Sequence, residues 1–174
     1  MRGALLCLVL LLAGCQGDIA VSPPEKQRTL FQPDEIGAFV NMNQGNAERH
    51  FVSGIYTLEA NAWRWAGRRA VLRLRLHETK DLKLVMKFAV PGQVIAKNGP
   101  VRLRIDLNGR RFDELRYEKD GIYEWEKPAP ADFLKADAEN ILAIEIDKPL
   151  PPDRGPELGF ILVYAGLQPA AWKP

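Results

Sequence analysis

Residues 100–109, "PVRLRIDLNG", decide the fold. Val101, Leu103, Ile105 and Leu107 alternate with Arg102, Arg104 and Asp106, the period-two pattern of a strand with one face in a core and the other in water. The run ends on Asn108-Gly109, a pair that tolerates the positive φ a two-residue hairpin turn demands. The next segment, "RRFDELRYE", is therefore expected to fold back on the first.

The same alternation recurs on both sides. In "RAVLRLRLHE" Leu72, Leu74 and Leu76 share a face opposite Arg73 and Arg75. In "DLKLVMKFAV" Leu82, Leu84, Met86, Phe88 and Val90 alternate with Lys83 and Lys87, and in "NILAIEIDK" Leu142, Ile144 and Ile146 alternate with Glu145 and Asp147. Asp120-Gly121 is a second hairpin-type pair before "IYEWEK", and "HFVSGIYTLE", "AWRWAG" and "LGFILVYAGL" are further strands. The last is apolar on both faces, as a central strand covered twice would be. A helical turn is expected only near "PADFLKADAEN". The links at 91–99 and 128–139 are too long for simple hairpins and read as crossings between sheets. Eight or nine short strands with almost no helix predict an all-β domain, a two-sheet β-sandwich of jelly-roll type, over residues 31–174.

The amino terminus is of another kind. Met1-Arg2-Gly3 precedes ten apolar residues, Ala4 to Ala13, which at about 1.5 Å per residue reach half of a ~30 Å hydrocarbon core. That suits the apolar region of a secretory signal peptide. The run closes on Leu12-Ala13-Gly14-Cys15, which resembles the lipobox of bacterial lipoproteins at every position. The resemblance implies cleavage after residue 14, a diacylglyceryl thioether on Cys15 and a membrane anchor. Two acyl chains hold stably where one does not. By resemblance to sorting in proteobacteria, Gln16 in place of an acidic residue favours the outer membrane. Residues 15–30, with Pro23-Pro24, read as a lipidated cysteine followed by a tether.

Composition narrows what residues 31–174 can do. The chain has 24 basic residues, one of them Arg2, and 22 acidic ones. So near neutrality, it has no electrostatic reason to seek nucleic acid. Cys7 leaves with the signal and Cys15 carries lipid, so no thiol remains for a disulfide, a zinc site or a nucleophile. Ser53, in "FVSGIY", is not in a nucleophile elbow. His77, after "RLRL", reads as a solvent-facing strand end, and nothing points to a cofactor. Arg73, Arg75, Arg102 and Arg104 are expected to pair across strands with Glu145, Asp147 or Asp106 on a solvated face.

Residues 101–146 taken together resemble the galactose-binding-like jelly rolls of carbohydrate-binding modules. Matching elements are Leu107-Asn108-Gly109, Tyr123-Glu124-Trp125 and Asn140-Ile141-Leu142-Ala143-Ile144. Upstream, "LEANAWRWAGRRAVLRLRL" is similar to the Trp-bearing segment that leads into their first strands. The resemblance implies a non-catalytic sugar-binding domain, but carries over no ligand residue, because binding positions vary within the family. Many members hold structural calcium. Asp132, Asp137 and Glu139 are acidic candidates without calcium-loop spacing, so no metal is assigned.

Sugars stack their C–H faces on aromatic rings while polar side chains meet their hydroxyls. "EANAWRWAG" places Glu59, Asn61, Trp63 and Trp65 within seven residues, with both tryptophans on one strand face and Arg64 on the other. Tyr123 and Trp125 form a second such pair. These six residues are the candidate ligand contacts, although aromatics in a small sandwich also serve as core. Three functions follow: a tethered glycan-binding module, an accessory lipoprotein docking to an envelope complex, and a glycoside-active enzyme with paired carboxylates. The sequence favours the first, which is not an enzyme.

Overall fold

The computed structural model describes residues 36–152 and 155–173. The lipobox, the signal segment and the tether lie outside the described residues. In chain order the elements are β1 (Phe39–Asn41), β2 (Phe51–Glu59), β3 (Trp63–Leu76), β4 (Leu82–Val90), α1 (Gly92–Asn98), β5 (Val101–Leu107), β6 (Arg110–Tyr117), β7 (Gly121–Pro128), β8 (Ala138–Ile146) and β9 (Phe160–Pro169). Short 3-10 turns occupy Ala47–His50 and Ala131–Phe133. The all-β, jelly-roll-type sandwich expected from the sequence is present.

All pairings are antiparallel, and the strands hydrogen-bond in the order β6-β5-β8-β3-β9-β4-β7, with β1 on β9 and β2 on β3. One strand makes this a single curled sheet with two layers. Residues 64–66 of β3 pair with β9, whereas residues 69–76 pair with β8. Thus "AWRWAG" and "RAVLRLRLHE", which read as two strands, are one strand bent between layers. Gly67 sits at the bend because a Cβ there would stand 2.5 Å from the Tyr56 hydroxyl. Gly54 of β2 crosses the same corner at φ +71, where a Cβ would lie 1.9 Å from the Arg69 carbonyl oxygen. β2 follows the bend through three register shifts, the strand-coiling use of bulges.

Leu72, Leu74, Leu84, Met86, Phe88, Leu103, Ile105, Leu107, Leu142, Ile144, Phe160 and Leu162 are fully or almost fully buried in one core. They are the inward positions of the alternations, contributed by both layers. At one rim the layers close on aromatic contacts: Phe88 of β4 lies 5.4 Å from Tyr117 of β6, and Phe112 of β6 lies 6.1 Å from Trp125 of β7. Both long links do cross between layers, from β4 to β5 and from β7 to β8.

Three local expectations need correction or addition. Asn108-Gly109 makes its hairpin, with φ of 51 and 79 between paired Leu107 and Arg110. Asp120-Gly121 does not: β7 pairs with β4 and not with β6. The link after Tyr117 steps from one layer to the other because Tyr117 and Tyr123, 4.3 Å apart, both turn into the interior. The link at 91–99 contains α1, which starts after Pro91 and stops at Gly99, φ +67; Val94 anchors it in the core. β1 was not foreseen, being only three residues long.

The two asparagines of the family resemblance form one polar network. Asn140, fully buried, accepts from Asn108 Nδ2 and from the Lys135 amide at 2.8 Å each, and donates to the Lys135 carbonyl at 2.8 Å. Asn108 in turn accepts from the Ile141 amide at 2.9 Å and donates to the Phe133 carbonyl at 2.8 Å. A buried amide left without such partners costs about 1–3 kcal/mol per group. The motif therefore ties the β5–β6 turn to the start of β8.

Candidate ligand-binding face

The outer face of the layer built from β7, β4, β9 and the first part of β3 carries the aromatic residues not consumed by the core. Strand register orders it in rows. Ile122, Ala89, Ile161 and Trp65 form one row, Glu124, Lys87, Tyr164 and Asn41 the next, and Glu126, Val85, Gly166 and Phe39 the third. Directly paired residues share a face in an antiparallel sheet, and Ala66, Leu162, Phe88 and Met86, one position away, are buried.

Trp63 and Trp65 are half-buried on this outer face, while Arg64 between them is buried on the other side. Three acceptors and an aromatic ring receive the Arg64 guanidinium there. It donates to the Met42 carbonyl at 3.1 Å, the Tyr56 carbonyl at 3.1 Å and Glu48 Oε1 at 3.2 Å, and lies 5.0 Å from the Phe51 ring centre. Breaking such a buried charge arrangement is costly, so Arg64 fixes the facing of both tryptophans. Their rings stand 6.0 Å apart at 82°. Perpendicular rings offer one stacking surface and one edge, not the flat two-ring platform implied by the spacing alone.

Glu59 and Asn61 are exposed at the β2–β3 turn. Ala60 and Asn61 adopt φ of 48 and 51, and Glu59 pairs with Trp63, so the turn adjoins the tryptophans. The second predicted pair faces the other way. Tyr123 and Trp125 pack against the core: Tyr123 lies 5.8 Å from Phe88 and donates to the Lys119 carbonyl at 2.8 Å, and Trp125 meets Phe112 edge-on. The six residues thus divide between two faces, Trp125 of the inner pair also bordering a depression on the outer one.

Sequence reading missed the rest of the outer face. Tyr164 lies 5.5 Å from Phe39, and Phe39 lies 6.0 Å from Trp172, which follows β9. The β4–β9 register shifts between Lys87 and Phe88; the extra residue on β9, Val163, reverses the strand's parity and turns Tyr164 outward. Val85, Glu124, Trp125, Glu126, Tyr164 and Trp172 line a shallow depression of about 200 Å³. Its charges are paired, Lys87 with Glu124 and Lys83 with Glu126, each at 2.7 Å. The hydrogen bond that Lys87 donates to Glu124 raises the pKa of Lys87. Burial first, and Glu124 second, raise that of Tyr164, which stays a neutral hydroxyl. Asn41 Oδ1, in the same row, is buried without a hydrogen-bond partner.

Chemically, this face offers aromatic surface next to carboxylate, hydroxyl and amide groups. Among the described residues no three His, Cys, Asp or Glu side chains group as a metal site. His77 is exposed beside Asp137 at 3.3 Å.

The other layer's outer face is different. Arg69 meets Glu145 at 2.8 Å, Arg104 meets Glu114 at 3.0 Å and Arg111 meets Asp106 at 2.7 Å. Ion pairs do cover this solvated face, but not the expected ones: Arg104 and Arg102 reach Glu114 and Arg73 reaches Glu139, while Glu145 and Asp106 are taken by Arg69 and Arg111.

No known protein-family model matches the chain, and no curated protein does. Among solved structures it is similar to a family 35 carbohydrate binding module from an environmental isolate, at 16% identity and TM-score 0.42, covering 71% of this chain and 93% of that one. A family 35 carbohydrate binding module from Clostridium thermocellum gives 9% identity and TM-score 0.41, over 65% of this chain and 85% of that one. The acetyl xylan esterase Est2A from Butyrivibrio proteoclasticus gives 6% identity and TM-score 0.42, over 76% of this chain and 32% of that one. Identities and TM-scores this low transfer neither a ligand nor a site residue.

Proposed function

We propose that this chain is a lipid-anchored envelope protein whose β-sandwich binds glycan, without catalysis, on the outer face of β7, β4, β9 and the start of β3. The supporting observation is the composition of that face. Trp65 and Tyr164 supply apolar surface for a sugar's C–H face, and Glu124 and Glu126 supply acceptors for its hydroxyls, within neighbouring rows of one sheet. Few precisely placed polar groups among aromatic ones are what orient a small polar ligand. The anchor rests on Leu12-Ala13-Gly14-Cys15, with Cys15 as the lipidated residue, the outer membrane as the favoured site and residues 15–30 as tether.

The test is a panel of polysaccharides and oligosaccharides titrated into soluble Gln16–Pro174 and followed by tryptophan fluorescence. Saturable quenching that disappears in Tyr164→Ala supports the reading. Silence across neutral and acidic glycans contradicts it. For the anchor, metabolic labelling with an acyl chain should tag the wild type and not Cys15→Ser.

A second reading, docking to a larger envelope protein, is favoured by one observation. Ile122 is 71% exposed on β7, a strand at the end of the sheet order, and open edges recruit other chains. Recovery of a stable partner by wild type, and its loss in Ile122→Lys, would select it.

A further inference from the structure

On the charged outer face, Arg102 of β5 and Arg116 of β6 are direct cross-strand partners. Like charges placed opposite one another destabilise a sheet, and hydrophobic pairing does not require them here, since the inward partners Val101 and Tyr117 do that work. Carboxylates near them are spread thin. Glu114 is shared by three arginines, at 3.9 Å from Arg102, 3.0 Å from Arg104 and 3.6 Å from Arg111. Glu118 lies 3.4 Å from Arg116. Asp147 has one carboxylate oxygen 2.8 Å from the Arg102 amide, which donates to it.

A third cation completes the group. Lys148 donates from Nζ to the Pro100 carbonyl at 3.0 Å and lies 3.4 Å from the Asn98 carbonyl. Asn98 closes the link from its own side by donating to the Lys148 carbonyl at 2.9 Å. The lysine is thus held at one place where an exposed lysine would otherwise sweep through solvent. Pro100, Arg102, Arg116, Asp147 and Lys148 line a pocket of about 300 Å³, roomy for a small oxyanion. Within the lining three cations face one engaged carboxylate, Glu114 and Glu118 touching the arginines from outside it. That local excess suits a doubly charged tetrahedral group, which two guanidinium forks and an ammonium contact from different sides.

We infer that this pocket binds a phosphate group, through Arg102, Arg116 and Lys148. It is separate from the aromatic face and does not depend on the glycan reading. The phosphate source is either a soluble phosphorylated compound or a phospholipid headgroup, which share this chemistry.

Inorganic phosphate is the probe. Titrated into the full chain in a neutral detergent, it should shift the amide resonances of Arg102, Arg116 and Lys148 saturably and raise the melting temperature. Sulfate should compete, and acetate should not. Arg116→Gln, on an exposed side chain, should fold. It should melt no lower than wild type without phosphate, because repulsion is relieved, and bind phosphate about tenfold more weakly. Lys148→Gln, which leaves both arginines in place, gives a second check with the same expected loss. Vesicles of phosphatidylglycerol, set against phosphatidylcholine, assign the source: Arg116-dependent flotation with the anionic lipid points to a headgroup, and phosphate binding without flotation to a soluble ligand. Unsaturable shifts, or affinity unchanged in both variants, would overturn the inference.

Discussion

Two aromatic pairs with the same spacing meet opposite fates. Trp63 and Trp65 on β3 look out, and Tyr123 and Trp125 on β7 look in. Both occur as aromatic, charged residue, aromatic, so alternation alone assigns each pair to one face and does not say which. The intervening residue decides. Arg64 finds two backbone carbonyls on the buried side and the exposed Glu48 carboxylate at its tip, so it can be buried and its neighbours expelled. Glu124 finds Lys87 on the surface, so it stays outside and its neighbours turn in. A charge between two aromatics orients them by where its partner lies.

The comparison breaks most visibly in the inner pair. Trp125→Ala should cost about 3 kcal/mol of unfolding free energy, measured by chemical denaturation, because its ring closes the rim against Phe112. Trp65→Ala should cost only about 1 kcal/mol, the scale of one lost edge-on ring contact, while abolishing glycan binding. Equal costs at the two positions would mean that both pairs are core.

Acid should sharpen the contrast further. Burial, more than any other influence, holds the pKa of His50 below its ordinary 6.5, opposed by the hydrogen bond to the Arg73 carbonyl and assisted by the Arg73 charge. The folded state therefore prefers neutral His50. Its contribution is complete above the ordinary histidine range and is lost as pH falls from there through the lower folded pKa. His50 leads into β2, which borders the outward pair. Protection of the β2 amides, taken relative to the intrinsic exchange rate at each pH, should fall with falling pH while that of β7 holds, and His50→Gln should flatten that dependence.

The smallest effect belongs to the ion-pair face. Arg104→Gln should change stability by about 0.5 kcal/mol or less, and added salt should erase even that. A larger loss would show that the lattice around Glu114 acts cooperatively.

Much of the fold was legible because alternation, an Asn-Gly turn and long links each have one structural solution. The strands at 82–90, 101–107 and 138–146 and both layer crossings follow from them. What was not legible depends on tertiary context. The bend at Gly67 joins two apparent strands, since a glycine at a layer change looks like one at a turn. Asp120-Gly121 carries hairpin chemistry, yet packing of Tyr117 on Tyr123 routes the chain across. The candidate face was half legible. Trp63 and Trp65 stood out by composition, while Tyr164 was hidden in a strand apolar on both sides, its direction set by one bulged residue, and Phe39, Asn41 and Trp172 reach the face only through the pairing of β1 and β9.

The most direct measurement compares glycan titrations of Trp65→Ala and Trp125→Phe, each first shown to be folded by circular dichroism. The outward pair as ligand surface and the inward pair as scaffold predict no binding in Trp65→Ala and wild-type affinity in Trp125→Phe. Unchanged affinity in Trp65→Ala would contradict the assignment of the outer face.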